Sequence, residues 1–196
     1  NDDLNDEYFQ RLKKEYAFLQ AKFQLQAIDK VTWKFSKLRP SNFPTIRISQ
    51  LAMLLKSHPR LFSKILELKD VKSIQQLFKT EASAYWLTHY QFGVETNSKP
   101  KKVGKTLLNN LIINVVAPFL FVYGKQHQQE KYIHLALQLL EQTPAEANSI
   151  ITNWKALGIK SNNAAKTQAL IELKNNYCTP KKCLSCYVGN KLLNSI

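Results

Sequence analysis

What this chain has little of narrows it first. Five glycines and seven prolines in 196 residues leave few positions for tight turns, which argues against a sandwich or barrel of short strands. Acids are scarce as well: 14 Asp and Glu stand against 28 Lys and Arg, a formal charge of +14. The carboxylates are mostly isolated, so a paired acid/base site or a two-metal hydrolytic site lacks its raw material. No Gly-rich nucleotide loop, HExxH or GxSxG is present, and no catalytic constellation is visible. The longest greasy stretch, residues 107–123, is interrupted by Asn109, Asn110, Asn114 and Pro118. It predicts a buried helix pair broken at Pro118, because a membrane-spanning helix needs about 20 predominantly apolar residues. With no apolar signal segment and only three clustered cysteines, a poor disulfide framework, the expected setting is the cytoplasm, away from membranes.

Leu, Ala, Gln and Lys are plentiful, and their propensities favour helix. The expected fold is all-α, an irregular bundle of roughly eight to ten helices in a single domain over residues 1–196. The polar stretch VETNSKPKK at 94–102 is the candidate junction between sub-lobes. Tyr8, Phe9, Leu12, Tyr16, Leu19, Phe23 and Ala27 recur at helical spacing over 6–27, one amphipathic helix. Pro44 and Pro59 open the next two, and Asp70 caps one carrying Val71, Ile74, Leu77 and Phe78. A short helix over 82–92 should stop at Gly93, and an aromatic one at Gly124. Further helices are expected over 128–142, from Thr143-Pro144 to a stop at Gly158, and from a cap at Asn162 or Asn163 to about residue 176.

The charge is unevenly spread. Residues 30–64 hold eight Lys or Arg and no acid, and residues 155–196 hold seven against Glu172 alone. Such runs suit nucleic acid or another polyanion. The first run contains the least generic stretch, WKFSKLRPSNFPTIRISQLAMLLK at 33–56. Pro40 and Pro44 pin an extended corner there. Arg39, Asn42, Thr45 and Arg47 gather at the helix start, where backbone N–H groups and the dipole favour an anion. The competing account has Arg39 bonding neighbouring carbonyls, with Trp33 and Phe43 packed into the core.

Two other sets carry chemistry. Tyr85, Trp86, His89 and Tyr90 would lie on adjoining helical faces and offer a stacking platform for a base; they also fit an aromatic core with a satisfied histidine. His127 and His134, seven apart, read as surface residues. Cys178, Cys183 and Cys186 form C-x4-C-x2-C, soft ligands for zinc or an iron–sulfur cluster. A fourth ligand would come from His58, His89, His127 or His134, from solvent, or from outside the chain. The alternative is a set of reduced thiols at the start of a terminal helix.

Four ordered motifs, W-x5-R-P-x-N-F-P-T-x-R at 33–47, Y-W-x2-H-Y at 85–90, I-I-N-V-V-x-P-F-L-F-x-Y-G at 112–124 and the terminal Y-C-x4-C-L-x-C-x2-G, together resemble an uncharacterised Bacteroidetes family catalogued only as a domain of unknown function. The resemblance runs from about Trp33 to the end of the chain. It implies a carboxyl-terminal half whose missing amino-terminal domain would be a partner. The expected function is a non-catalytic basic accessory module for nucleic acid or another polyanion. The alternative is a structural or interaction domain packing on that missing half, and a third is part of a metal-dependent enzyme using the cysteines.

Overall fold

A computed structural model describes residues 4–194. It is mostly helical, and the described residues form one small sheet, a two-stranded hairpin. The chain makes two compact units. The first runs from the described amino terminus to Leu61 and adds Phe78–Gly104; the second takes Phe62–Leu77 and the described residues from Lys105 on. The stretch 94–102 therefore lies inside the first unit.

The first unit opens with α1 (Glu7–Phe23), whose N-cap Asp6 accepts from the Phe9 N–H at 2.9 Å. Helix α2 (Pro44–Ser57) begins on Pro44, where a missing N–H costs nothing. The core is built on Ile46, Ala82 and Trp86, with Tyr8, Phe43, Tyr85, Tyr90 and Phe92 packed around it. The helix expected over 82–92 is instead a 3-10 turn (Ala84–Leu87) running into a hairpin, β1 (His89–Gln91) with β2 (Val94–Glu95). Gly93 sits at the hairpin turn at φ 68°, a left-handed conformation that glycine adopts without strain. Its side-chain-free backbone ends the element, but the element it ends is a strand.

The second unit contains α3 (Leu61–Glu67, whose first residue belongs to the first unit) and α4 (Val71–Phe78, whose last does). Asp70 caps α4 as expected, bonding the Ser73 N–H at 2.9 Å and its hydroxyl at 2.5 Å. The break expected at Pro118 is absent. Helix α5 (Lys105–Leu111) continues through a π-helical segment, Ile112–Val116, into α6 (Ala117–Gln126). Pro118 has no N–H to give and its ring crowds the preceding turn; the wider π turn, with the Ala117 N–H reaching back to the Ile112 carbonyl, absorbs the mismatch without a kink into two helices. The resulting 22-residue helix, Lys105–Gln126, is long and apolar enough to cross a membrane by length and composition. Leu108, Ile112, Ile113, Val116, Ala117 and Leu120 on it are nonetheless buried, while Phe119 and Val122 are exposed.

Helix α7 (Glu130–Gln142) packs closely on α6, and α8 (Ser149–Ala156) and α9 (Ala164–Glu172) follow, capped by Asn148 and Asn163. Thr143-Pro144 therefore does not open α8. Thr143 is buried and its carbonyl accepts from the Ala164 N–H at 2.8 Å, so this dipeptide pins α9. Gly158 follows α8 at φ 83°. Helix α9 extends through a second π-helical segment, Leu173–Cys178, and α10 (Tyr187–Leu193) ends the described chain.

Gly124 is a packing glycine and not a helix stop. A Cβ there would stand 2.8 Å from Ile133 Cγ1, 2.9 Å from the Gln129 carbonyl oxygen and 3.0 Å from the Ile133 nitrogen. Two of those three neighbours are backbone and cannot swing away. Gly124→Ala gains about 1 kcal/mol of helix propensity but loses about 1–3 kcal/mol to overpacking. Net destabilisation is expected in chemical denaturation; a variant as stable as the wild type would show that α6 and α7 do not approach this closely.

Candidate functional site

The proline corner folds much as its sequence predicts, but its polar groups are turned on one another. Pro40–Asn42 forms a 3-10 turn, closed by the Phe43 N–H to the Pro40 carbonyl at 3.1 Å. From α2 the Arg47 guanidinium donates back to Asn42 Oδ1 at 2.5 Å and forward to Gln50 Oε1 at 2.9 Å. Thr45 Oγ1 donates to the Tyr90 carbonyl at 2.7 Å, tying the helix start to β1. Of the four residues expected to hold an anion, Asn42, Thr45 and Arg47 are thus committed to the fold, and burial lowers the pKa of Arg47. Arg39 stands exposed. Phe43 packs on the core as the competing account had it, whereas Trp33 is 38% exposed.

The network goes deeper than the corner. Gln50 is buried and its amide donates to the Lys101 carbonyl at 2.9 Å. Lys101, from the polar KPKK stretch, is 4% exposed. Its ammonium donates to the Leu87 carbonyl at 2.6 Å and lies 4.3 Å from the centre of the Tyr90 ring. Burial, with the Lys99 charge adding to it, lowers its pKa. A lysine held in this way by neutral groups gains cation–π attraction where a carboxylate would be the usual partner.

Beside it lies an aromatic stack. Tyr85 is sandwiched between Tyr8 at 4.2 Å and His89 at 4.0 Å, both 12° from parallel. Trp86 meets Tyr85 edge-on at 5.1 Å. His89 is buried, with Nδ1 3.0 Å from both the Tyr85 carbonyl and Thr88 Oγ1. Trp86, His89 and Tyr90 therefore do come together, but on a 3-10 turn and a strand, with the π-faces of Tyr85 already covered on both sides. The platform expected for a base is occupied by the protein itself.

Asp6 closes this cluster. Its carboxylate accepts from the Tyr85 hydroxyl and from the Gly93 N–H at 2.9 Å, besides capping α1. Burial pushes its pKa up, but the Tyr85, Phe9 and Gly93 donors outweigh that and hold it below the usual carboxylate range. Burial first, and then donation to Asp6, push the Tyr85 phenol up to about 12. Sequence reasoning missed Asp6 and Lys101. The N-cap position of Asp6 was legible; its bond to a side chain 79 residues away was not.

Among the described residues the three cysteines are not gathered into a ligand set. Cys178 and Cys183 are exposed and Cys186 is half-buried, all three as thiols, and among the described residues no three His, Cys, Asp or Glu converge to hold an ion. Cys178 ends the π-helical segment, whereas Cys183 opens a separate 3-10 turn and Cys186 follows it. Of the proposed distant ligands, His89 is engaged in the stack and His127 and His134 are exposed. A shallow cleft of about 330 Å³ lies in the second unit, lined by Asp70, Lys72, Gln75, Lys105 and Gln142 among others. Its acid is spent on Ser73, which holds the Asp70 pKa low, and its two lysines border open solvent.

The family model described as "Protein of unknown function (DUF2851)" matches residues 1–149. The chain belongs to this family. No curated protein and no solved structure matches it. The DUF2851 match corrects the extent of the expected resemblance at both ends. It includes α1 and the chain before Trp33, and it stops at the start of α8, leaving the cysteine segment outside.

The titration of the Asp6–Tyr85 pair should show in the pH dependence of stability. Asp6 is more acidic folded than unfolded, so its contribution is complete above about pH 4 and is lost as pH falls through the folded value. Tyr85 is less acidic when folded, so its contribution is complete below about pH 10 and is lost as pH rises towards about 12. Asp6→Ala should cost about 2 kcal/mol near neutral pH, from the lost cap and the stranded donors, and shrink both limbs. An unchanged denaturation midpoint in that variant would remove Asp6 from this role.

Proposed function

We propose that this chain is a non-catalytic basic binding module that contacts nucleic acid or another polyanion through residues 30–64, with residues 155–191 as a second basic surface. The observation that carries the reading is the exposure of Lys30, Lys34, Lys37, Arg39, Lys56 and Arg60 along a run that contains no acid. The loop half of that run is shaped for contact. Asp29 accepts from the Val31 N–H at 3.0 Å and fixes a 3-10 turn over Lys30–Thr32, and Trp33, between Lys30 and Lys34 in the sequence, is left partly open. Basic side chains interleaved with an accessible aromatic are what single-stranded nucleic acid uses, phosphates on the charges and a base on the ring. Arg47 is left out of this surface, because it is half-buried and two of its donors are held by Asn42 and Gln50. In the carboxyl-terminal run Lys155, Lys160, Lys166, Lys181 and Lys182 are exposed, whereas Lys174 donates to Thr179 at 2.9 Å.

Binding of this kind releases counterions, so affinity falls steeply with salt. In a titration with labelled single-stranded oligonucleotide, the triple variant Lys30→Gln, Lys34→Gln and Lys37→Gln should lower the log–log salt slope by about two, at roughly 0.7 per phosphate contact. Absence of binding at low ionic strength, or a slope indifferent to the three substitutions, would remove the reading.

A further inference from the structure

Beyond its first turn, α1 contributes little to the core of its unit. Tyr8 and Phe9 lie against Tyr85 and Phe92, with ring centres 4.2 and 5.2 Å apart. Past them, Leu12 and Tyr16 are each 40% exposed and Phe23 is 59% exposed, and no residue of the helix is buried. The apolar positions Phe9, Leu12, Tyr16, Leu19 and Phe23 are spaced three, four, three, four. That is the spacing of a coiled-coil seam, with Phe18, 60% exposed, lying outside it.

The charges beside the seam choose its occupant and direction. With Phe9, Tyr16 and Phe23 as a positions and Leu12 and Leu19 as d positions, Lys13 and Gln20 flank one side and Glu15 and Lys22 the other. In an antiparallel pair like flanks face each other. Setting Tyr16 on Leu19 of the other copy, and Leu12 on Phe23, brings Glu15 of each chain beside Lys22 of its mate, twice by symmetry. A slip of one heptad either way puts Glu15 against Glu15 and Lys13 against Lys13, or Lys22 against Lys22. A parallel pair sets Glu15 against Gln20 and makes no ion pair. The favoured register also leaves Phe9 and Tyr8 free to stay on their own unit.

We infer that α1 pairs antiparallel with α1 of a second copy of this chain, Tyr16 over Leu19 and Glu15 beside Lys22. The pairing is independent of the polyanion reading, since it uses a face that carries none of the residues placed there. The full chain should pass from monomer to dimer with concentration in sedimentation or light scattering. Glu15→Lys turns both attractions into repulsions and should weaken association about tenfold; the double variant Glu15→Lys with Lys22→Glu should restore it. Carbodiimide coupling in a mixture of isotope-labelled and unlabelled protein should join Glu15 to Lys22 across copies. A chain monomeric at every concentration overturns the inference. So does a dimer indifferent to Glu15→Lys, or a Leu12→Ser, Phe23→Ser variant, folded by circular dichroism, that associates like the wild type.

Discussion

The first unit depends on one carboxylate. Asp6 gathers the start of α1, the hairpin turn at Gly93 and the 3-10 turn at Tyr85 onto two oxygen atoms. Hydrogen bonds to a charged acceptor are worth about 1.5–3 kcal/mol each, more than neutral ones, and each here fixes a different stretch of chain. Once Tyr85 is held by its hydroxyl, its ring plane is set, and Tyr8 and His89 stack on its two faces. Trp86 and Phe92 then fill the edge, with ring centres 5.1 Å apart. The aromatic cluster is thus organised from its polar rim inward.

A second theme follows from the shortage of acids. Where basic groups enter the fold they are satisfied by neutral oxygen and by rings: Arg47 by two side-chain amides, Lys101 by a backbone carbonyl and the face of Tyr90. These partners stabilise the positive charge less than a carboxylate would, and burial lowers the pKa of both groups. Several of the carboxylates serve caps and hydroxyls, as Asp70 does with Ser73 and Glu146 with the Thr167 hydroxyl at 3.2 Å.

Helices announced by a cap and a period were legible in the sequence: Asp70 before α4, Pro44 at the head of α2, Asn163 before α9. What failed was local grammar overruled by distant packing. Residues 82–92 have helical spacing, but Tyr85 and His89 are recruited by Tyr8 and Asp6 from the far end of the unit, and a hairpin serves that stack better. Lys101 reads as loop because nothing in KPKK reveals a carbonyl and a ring waiting for it. The prolines of the corner were legible, but nothing in the sequence showed that Arg47 would bond Asn42 and Gln50, five residues back and three ahead. The cysteine spacing did not reveal that Cys178 and Cys183 belong to different elements, a π turn and a 3-10 turn.

The π-helical segment in Lys105–Gln126 changes the footprint of that helix on its neighbours. Through the segment two adjacent residues point inward at each pass, Ile112 with Ile113 and Val116 with Ala117; towards the ends a single one does, Leu108 on one side and Leu120 on the other. The contact strip is broad at mid-length, where the π-helical segment lies, and slender at the tips. The rod grips most widely at mid-length, and a proline that would ordinarily snap it stands just beyond the paired residues.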